Sequence, residues 1–317
     1  MRYRQLGRSG LTVSVVGLGG NNFGSVCDAA QTRAVVWAAL DAGITLFDTA
    51  DVYGHRGGSE TLLGQALGRH HDEVVVATKF GMDMGGPPHE ARASRRHIRR
   101  AVEGSLRRLG FDHLDLYQQH APDRRTPLEE TLAALDELVG EGKVRYVGSC
   151  NFAAWQIVEA DWIARSQHRT PFVSAQNHYN LLERDLEQEV LPACQRYGIG
   201  VLPSYPLANG LLTGKYKRGE PAPEGTRLSQ LPEERASRVM SDRNFEQVDR
   251  LRAFADARGR TVLELAFAWL AAQPAMSSII AGATSPDQVA ANVAAVGWHL
   301  TDTDLAEIDE LLASSAG

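Results

Sequence analysis

Residues 74–120 read VVVATKFGMDMGGPPHEARASRRHIRRAVEGSLRRLGFDHLDLYQQH. Two short apolar runs, Val74–Lys79 and Leu114–Tyr117, flank a longer stretch, Ser94–Leu109. In that stretch Ile98, Val102, Leu106 and Leu109 recur at helical spacing on one face, and the arginines fall on the other. The unit is therefore strand, helix, strand. Runs that are apolar almost throughout predict strands covered on both faces, which means parallel pairing under helices. Both runs lead into polar residues, Lys79 and His120.

The same alternation extends in both directions. Strand-like runs stand at Val15–Leu18, Ile44–Asp48, Val144–Gly148, Phe172–Gln176, Gly200–Pro203 and Ser278–Ala281, which with the first two makes eight. Thr126–Val139, Leu186–Tyr197 and Phe245–Ala257 carry helix-period apolar residues, and Thr126-Pro127 predicts an N-cap followed by proline at the first helical position. Eight βα units fit a (β/α)8 TIM barrel or a doubly wound sheet. Polar residues close many different strands and do not gather at one switch point, which favours the barrel. A hairpin, Tyr3–Leu6 then Leu11–Val13, is placed to plug the barrel's bottom. Asn209–Asp242, rich in glycine and proline, predicts a long irregular lid loop after strand 7. Residues 1–317 read as a single domain.

Composition narrows the function classes. The 317 residues are 43% hydrophobic and 23% charged, which excludes a disordered, collagenous or coiled-coil chain. Basic residues number 33 and acidic 39, a net charge of −6, which argues against nucleic-acid and anionic-membrane partners. No apolar run approaches the ~18 residues of a membrane span. Cys27, Cys150 and Cys194 are odd in number and lack CxxC spacing, so neither a disulfide framework nor a zinc site follows. With no apolar core in Met1-Arg-Tyr-Arg-Gln5, a cytoplasmic location is expected. Oligomeric state has no signature in the sequence.

Four polar groups cluster where strands run out. Ile44-Thr-Leu-Phe-Asp48 ends in an acid, Tyr53 follows five residues on, Lys79 ends its strand, and His120 ends the next. Three consecutive barrel strands bring these groups to one rim. A free tyrosine has a pKa of ~10. A neighbouring ammonium is expected to lower it, and a carboxylate to hold the buried lysine charged. Asp48, Lys79 and Tyr53 thus read as a tuned proton donor, with His120 orienting an acceptor oxygen. Other patterns are weaker. Gly17–Asn22 lacks the third glycine of a dinucleotide fingerprint, and Asn209–Lys215 departs from a phosphate-binding loop at both ends. Arg95, Arg96, Arg99 and Arg100 read as the solvated face of their helix, and His70-His71 as a solvated helix end.

Longer stretches resemble the aldo-keto reductase family, in the branch of bacterial reductases and potassium-channel beta subunits. Phe47-Asp-Thr-Ala-Asp-Val-Tyr-Gly54 and Ala77-Thr-Lys-Phe-Gly81 are similar to its first two motifs. Ser94–His120, Gly142–Phe152, Gln176-Asn-His-Tyr-Asn180, Pro206–Tyr216 and Ile280–Gln288 continue the match. The resemblance implies a (β/α)8 barrel that reduces aldehydes or ketones with NADPH and without metal. By position it implies Tyr53 as proton donor, Asp48 and Lys79 as its tuners, and His120 at the carbonyl. It places the nicotinamide carboxamide at Asn151 and Gln176 and the ribose near Gly20 and Asn21. The phosphates fall along Pro206, Leu207, Asn209, Gly210 and Leu211, with Lys215 and Arg227, and Tyr205 follows the position of the ring that stacks on nicotinamide. Gly282, Thr284, Gln288 and Asn292 fall at the adenosine end. Cys150 stands where the family commonly has serine, Ser204 where it has an aromatic ring, Gln288 where many members have arginine, and Ala291 where glutamate is usual. NADH use is therefore open. Asn22, Phe23, Phe80, Met82, Met84 and residues 228–240 are expected to wall the substrate mouth. One alternative is a nicotinamide-binding, redox-sensing regulatory subunit, which the histidine at 120 disfavours. Another is a barrel lyase or isomerase.

Overall fold

The computed structural model describes residues 1–313; residues 314–317 of the expected domain lie outside the described residues. The chain opens with an antiparallel hairpin, β1 (Tyr3–Gln5) and β2 (Thr12–Ser14). Eight parallel strands follow among the described residues. They are β3 (Val16–Gly19), β4 (Leu46–Asp48), β5 (Val75–Phe80), β6 (Leu114–Gln119), β7 (Val144–Cys150), β8 (Ser174–His178), β9 (Gly200–Ser204) and β10 (Ile279–Gly282). Their order is β10-β3-β4-β5-β6-β7-β8-β9. The seam closes where Val201 donates its N–H to Ala275 and accepts from Ser277, so the sheet is a (β/α)8 TIM barrel.

Helices wrap it: α1 (Ala29–Asp41), α2 (Tyr53–Leu67), α3 (Arg95–Leu109), α4 (Leu128–Gly140), α5 (Ala154–Ser166), α6 (Val190–Tyr197), α7 (Glu233–Val239), α8 (Asp242–Asp256), α9 (Val262–Ala272), α10 (Pro286–Ala295) and α11 (Asp302–Ala313).

Side-chain parity explains both halves of the core. Along β4, β5 and β6 the residues Leu46, Val75, Ala77 and Leu116 point into the barrel, where they meet Leu202 and Ile280. Leu6 and Val13 of the hairpin, both fully buried, join that cluster from below, so the hairpin is the expected plug. The alternate residues, such as Phe47, Val76 and Tyr117, pack outward against the helices. The next inward positions above this apolar layer are Asp48, Lys79, Gln118 and Gln176, all buried. The barrel is thus greasy below and polar on top.

Several boundaries differ from the sequence reading. Ile44 and Thr45 precede β4: towards the hairpin Thr45 and Ser14 exchange side-chain-to-backbone hydrogen bonds in place of a ladder, although the Thr45 carbonyl accepts from Val75 on the other side. Thr126 is not the N-cap of α4: its hydroxyl donates to Asp123, and Pro127 takes the cap position without a side-chain bond. The expected helix from Leu186 starts at Val190 instead, after a 3₁₀ turn over Asp185–Glu187. Pro192 has no N–H to bond backwards and tolerates only the first helical turn, which sets that start. Asn209–Asp242 is not wholly irregular, since it holds 3₁₀ turns and α7. The arginines of α3 are not merely solvated: Arg99 bonds Glu137 and Glu141, and Arg100 bonds Glu90. His71 is not a free helix end but stacks on Phe111 at 4.5 Å.

Candidate active site

The polar layer is built around one buried ion pair. Lys79 Nζ donates to Asp48 Oδ2 at 2.6 Å and to the carbonyl of Thr49 at 2.8 Å. Lys79 is fully buried and Asp48 almost so. Burial opposes the ammonium charge, yet Asp48 and Tyr53 together hold the lysine pKa above its ordinary value. A second pair of donors, Gln176 at 2.9 Å and Gln118 at 3.4 Å, serves Asp48 Oδ1.

Tyr53 follows β4 on a tight turn and begins α2. Gly54, His55, Arg56 and Gly57 all adopt left-handed or positive φ, from 60° to 115°. At Gly54 a Cβ would lie 2.5 Å from the carbonyl oxygen of Phe23 and from the Ser59 nitrogen. Only glycine fits there. His55 and Arg56 carry side chains in that region at a cost of about 1–3 kcal/mol each. The strain is offset by the buried Ser59 hydroxyl, which bonds the Gly20 carbonyl at 2.7 Å and meets Thr49 Oγ1 at 2.7 Å. The result aims the Tyr53 ring at the ion pair, with Lys79 Nζ 5.1 Å from its centroid. The His120 ring stands edge-on at 5.6 Å. Asp48, Tyr53, Lys79 and His120 therefore do converge on one rim.

The charges behave differently from the sequence expectation in one respect. Tyr53 is pushed up to about 12, not down: burial is the largest cause, Lys79 pulls the other way, and Asp48 adds to the rise. His120 is pushed down to about 3, first by burial and then by Lys79. Its imidazole is neutral, and Nδ1 is buried without a hydrogen-bond partner among the described residues.

A cleft of about 590 Å³ runs from Tyr53, Asp48 and Gln176 across the barrel mouth. Of the residues expected to hold a cofactor, Asn21, Gln176, Tyr205, Pro206, Leu207, Asn209, Gly210, Lys215, Arg227, Gly282, Thr284, Gln288 and Asn292 line it. Ser204, Gln230 and Ala291 do as well. Gly20, Cys150, Asn151 and Leu211 do not reach its wall. Gly20 donates to the Asp48 carbonyl, Leu211 turns into the core, and Asn151 Nδ2 donates to the His120 carbonyl. Cys150 is buried beneath the site, and burial raises its thiol pKa. Lys215 and Arg227 bring two cations to the cleft, and neither forms an ion pair among the described residues. Asn209 at φ 56° and Gly210 at φ 93° curve the backbone between them. The Tyr205 ring is 40% exposed and is braced edge-on by His178 at 5.1 Å. The donor set suits an extended ligand with a phosphate-bearing middle and a flat ring beside Tyr53.

Phe23 and Phe80 are fully buried and belong to the core, so they do not wall the mouth. Met82 is exposed. Gln118 and Ser174 went unnoticed in the sequence, although polar residues at inward parity on a strand are a usable signal.

The aldo/keto reductase family model matches residues 15–313. A probable voltage-gated potassium channel subunit beta from Oryza sativa subsp. japonica is 37% identical over 93% of this chain and 91% of its own length. The uncharacterized oxidoreductase YrpG of Bacillus subtilis (strain 168) is 37% identical over 100% and 98%. The L-glyceraldehyde 3-phosphate reductase of Escherichia coli (strain K12) is 33% identical over 99% and 93%. With the barrel and its polar crown, these matches identify the chain as an oxidoreductase that belongs to the aldo/keto reductase family.

Proposed function

We propose that the protein reduces an aldehyde or ketone to an alcohol with NADPH, using Tyr53 as the proton donor. The observation that carries this reading is the Tyr53 ring set 5.1 Å from Lys79 Nζ, itself locked to Asp48 at 2.6 Å, at the head of the cleft. A nicotinamide bound there supplies a hydride to the carbonyl carbon. The chain's own residues handle the oxygen. Tyr53, held near 12, is fully protonated at neutral pH. A nascent alkoxide is about as basic as hydroxide, whose conjugate acid has a pKa of ~15.7, so the proton runs downhill from Tyr53 Oη. As the phenolate forms, the Lys79 ammonium stabilises it, and Asp48 keeps that ammonium charged. Neutral His120 holds the carbonyl oxygen beside the phenol.

Lys215 and Arg227, which form no ion pair among the described residues, support NADPH through their charges, with Thr284, Gln288 and Asn292 at the adenosine end. Gln288 Oε1 already accepts from the Thr284 N–H at 2.9 Å. No arginine stands at that position, so NADH is expected to serve less well but not to be refused. Tyr205 takes the place of the family's stacking ring. A second reading, a nicotinamide-sensing regulatory subunit with little turnover, is favoured by the channel-subunit names among the relatives. Steady-state NADPH consumption with a carbonyl panel separates the two. Tyr53→Phe is expected to lower kcat at least 100-fold, the low end of general-acid catalysis, with NADPH affinity nearly unchanged. Equal turnover in both proteins refutes the assignment.

A further inference from the structure

Two side-chain amides converge on one oxygen of Asp48. Gln176 Nε2 donates to Oδ1 at 2.9 Å and Gln118 Nε2 at 3.4 Å, while Lys79 holds Oδ2. A carboxylate only accepts, so both amides must present N–H groups to it. The two donors are not equivalent. Gln176 stands on the cleft wall beside Tyr53, whereas Gln118 is fully buried and does not reach that wall. Gln118 is also held from behind, because Ser174 Oγ donates to its Oε1 at 3.1 Å. Residue 148 must be small for this chain of bonds to exist: a Cβ on Gly148 would lie 2.1 Å from Ser174 Oγ and 3.2 Å from Gln118 Cγ.

We infer that Gln118 is a positioning residue that keeps the Asp48 carboxylate satisfied when the Gln176 amide turns away from it to a ligand in the cleft. The inference rests on the nicotinamide reading of that cleft. A ligand carboxamide offers Gln176 one acceptor and one donor group. If Gln176 left and nothing stayed, a buried anionic oxygen would lose its hydrogen bond, which is costly in a dry interior. Gln118 stays. Its 3.4 Å bond is long for a charged acceptor and has room to shorten once the other amide departs. Gln118 thereby lowers the cost of recruiting Gln176 and keeps the Asp48 carboxylate in place on the Lys79 ammonium beside Tyr53.

The test is NADPH affinity by fluorescence titration, with steady-state kinetics beside it, for wild type, Gln118→Leu, Gln176→Leu and the double variant. Gln118→Leu is expected to weaken NADPH about tenfold or more, the change that follows from losing a hydrogen bond to a charged group. It should also lower kcat severalfold and leave the carbonyl KM near its wild-type value. In the Gln118→Leu background, Gln176→Leu should add little, because Gln176 is already retained by Asp48. Wild-type behaviour in Gln118→Leu overturns the inference alone, as does a double variant whose losses multiply. Failure of wild type to bind NADPH overturns the reading of the cleft and this inference with it. Should Gln118→Leu not fold, Ser174→Ala removes only the orienting hydroxyl. A smaller loss of affinity in that variant supports the inference, and an unchanged one overturns it.

Discussion

Lys79 is the residue on which the site depends most. Its ammonium is fully buried and its main charged partner is Asp48. Removing one member of a buried ion pair typically costs about 3–5 kcal/mol, because the other charge is left alone. Lys79→Met is therefore expected to lose turnover and to unfold at clearly lower urea concentration than wild type. An active, equally stable Lys79→Met protein would show that the pair neither tunes nor holds the site. Asp51 makes a separate claim. It is 1% exposed, no side chain among the described residues bonds its carboxylate, and Tyr117 Oη beside it has no partner there either. Burial is the main cause that pushes Asp51 up to about 7. Glu60 adds to the rise, and Arg108, the Val52 backbone N–H and Lys79 oppose it. The folded-state pKa lies above the unfolded ~3.9, so the folded state binds more protons between the two values. Stability should fall as pH rises from about 4 to 7, then level off. Asp51→Asn removes that slope, and on the order of 4 kcal/mol should be regained at pH 8. Parallel stability–pH curves for the two proteins would contradict this. Sequence reading found the four rim residues because they end strands. It missed Gln118 and Asp51, whose roles depend on which side-chain atoms meet across the barrel. The net direction of the Tyr53 shift is not legible in the sequence either: Lys79 does pull it down, but burial outweighs the nearby ammonium.

At the scale of elements, the turn after β4 and the hairpin are the parts most open to test. Gly54→Ala puts a Cβ 2.5 Å from two backbone atoms at a φ of 62°. Because the strained turn aims Tyr53, activity should drop much further than the melting temperature. A drop in stability with full activity in the surviving folded protein would contradict that division. At the other end, Leu6 is fully buried among the inward residues of the barrel. Leu6→Ala should cost about 2–5 kcal/mol, read by urea unfolding, through the cavity it leaves. Element type was legible throughout the barrel, because apolar runs and helical periodicity are dictated by burial. Boundaries were less so. The start of α6 was readable from Pro192, but the cap of α4 was not, since the Thr126 hydroxyl is drawn to Asp123 by a loop contact that spacing does not encode. Parts of Asn209–Asp242 are ordered into short helical turns that glycine and proline content disguises.

The whole molecule is an acidic barrel that carries into one cleft two cations with no ion pair among the described residues. That contrast makes Lys215 and Arg227 the expected grip on cofactor phosphates. Lys215→Met should raise the NADPH dissociation constant about tenfold or more, with a weaker salt dependence than wild type; an unchanged constant would move the phosphates elsewhere. No helix among the described residues is long and apolar enough to cross a membrane. The central claim is that the polar crown of the barrel protonates a carbonyl oxygen while the nicotinamide delivers hydride. The most direct test follows the hydrogen: NADPH deuterated at the transferring position of nicotinamide C4, on either face, is incubated with an aldehyde and each of wild type and Tyr53→Phe. Deuterium on the carbinol carbon with wild type, at background with Tyr53→Phe, is the expected result. Alcohol without deuterium, or equal labelling by both proteins, would contradict it.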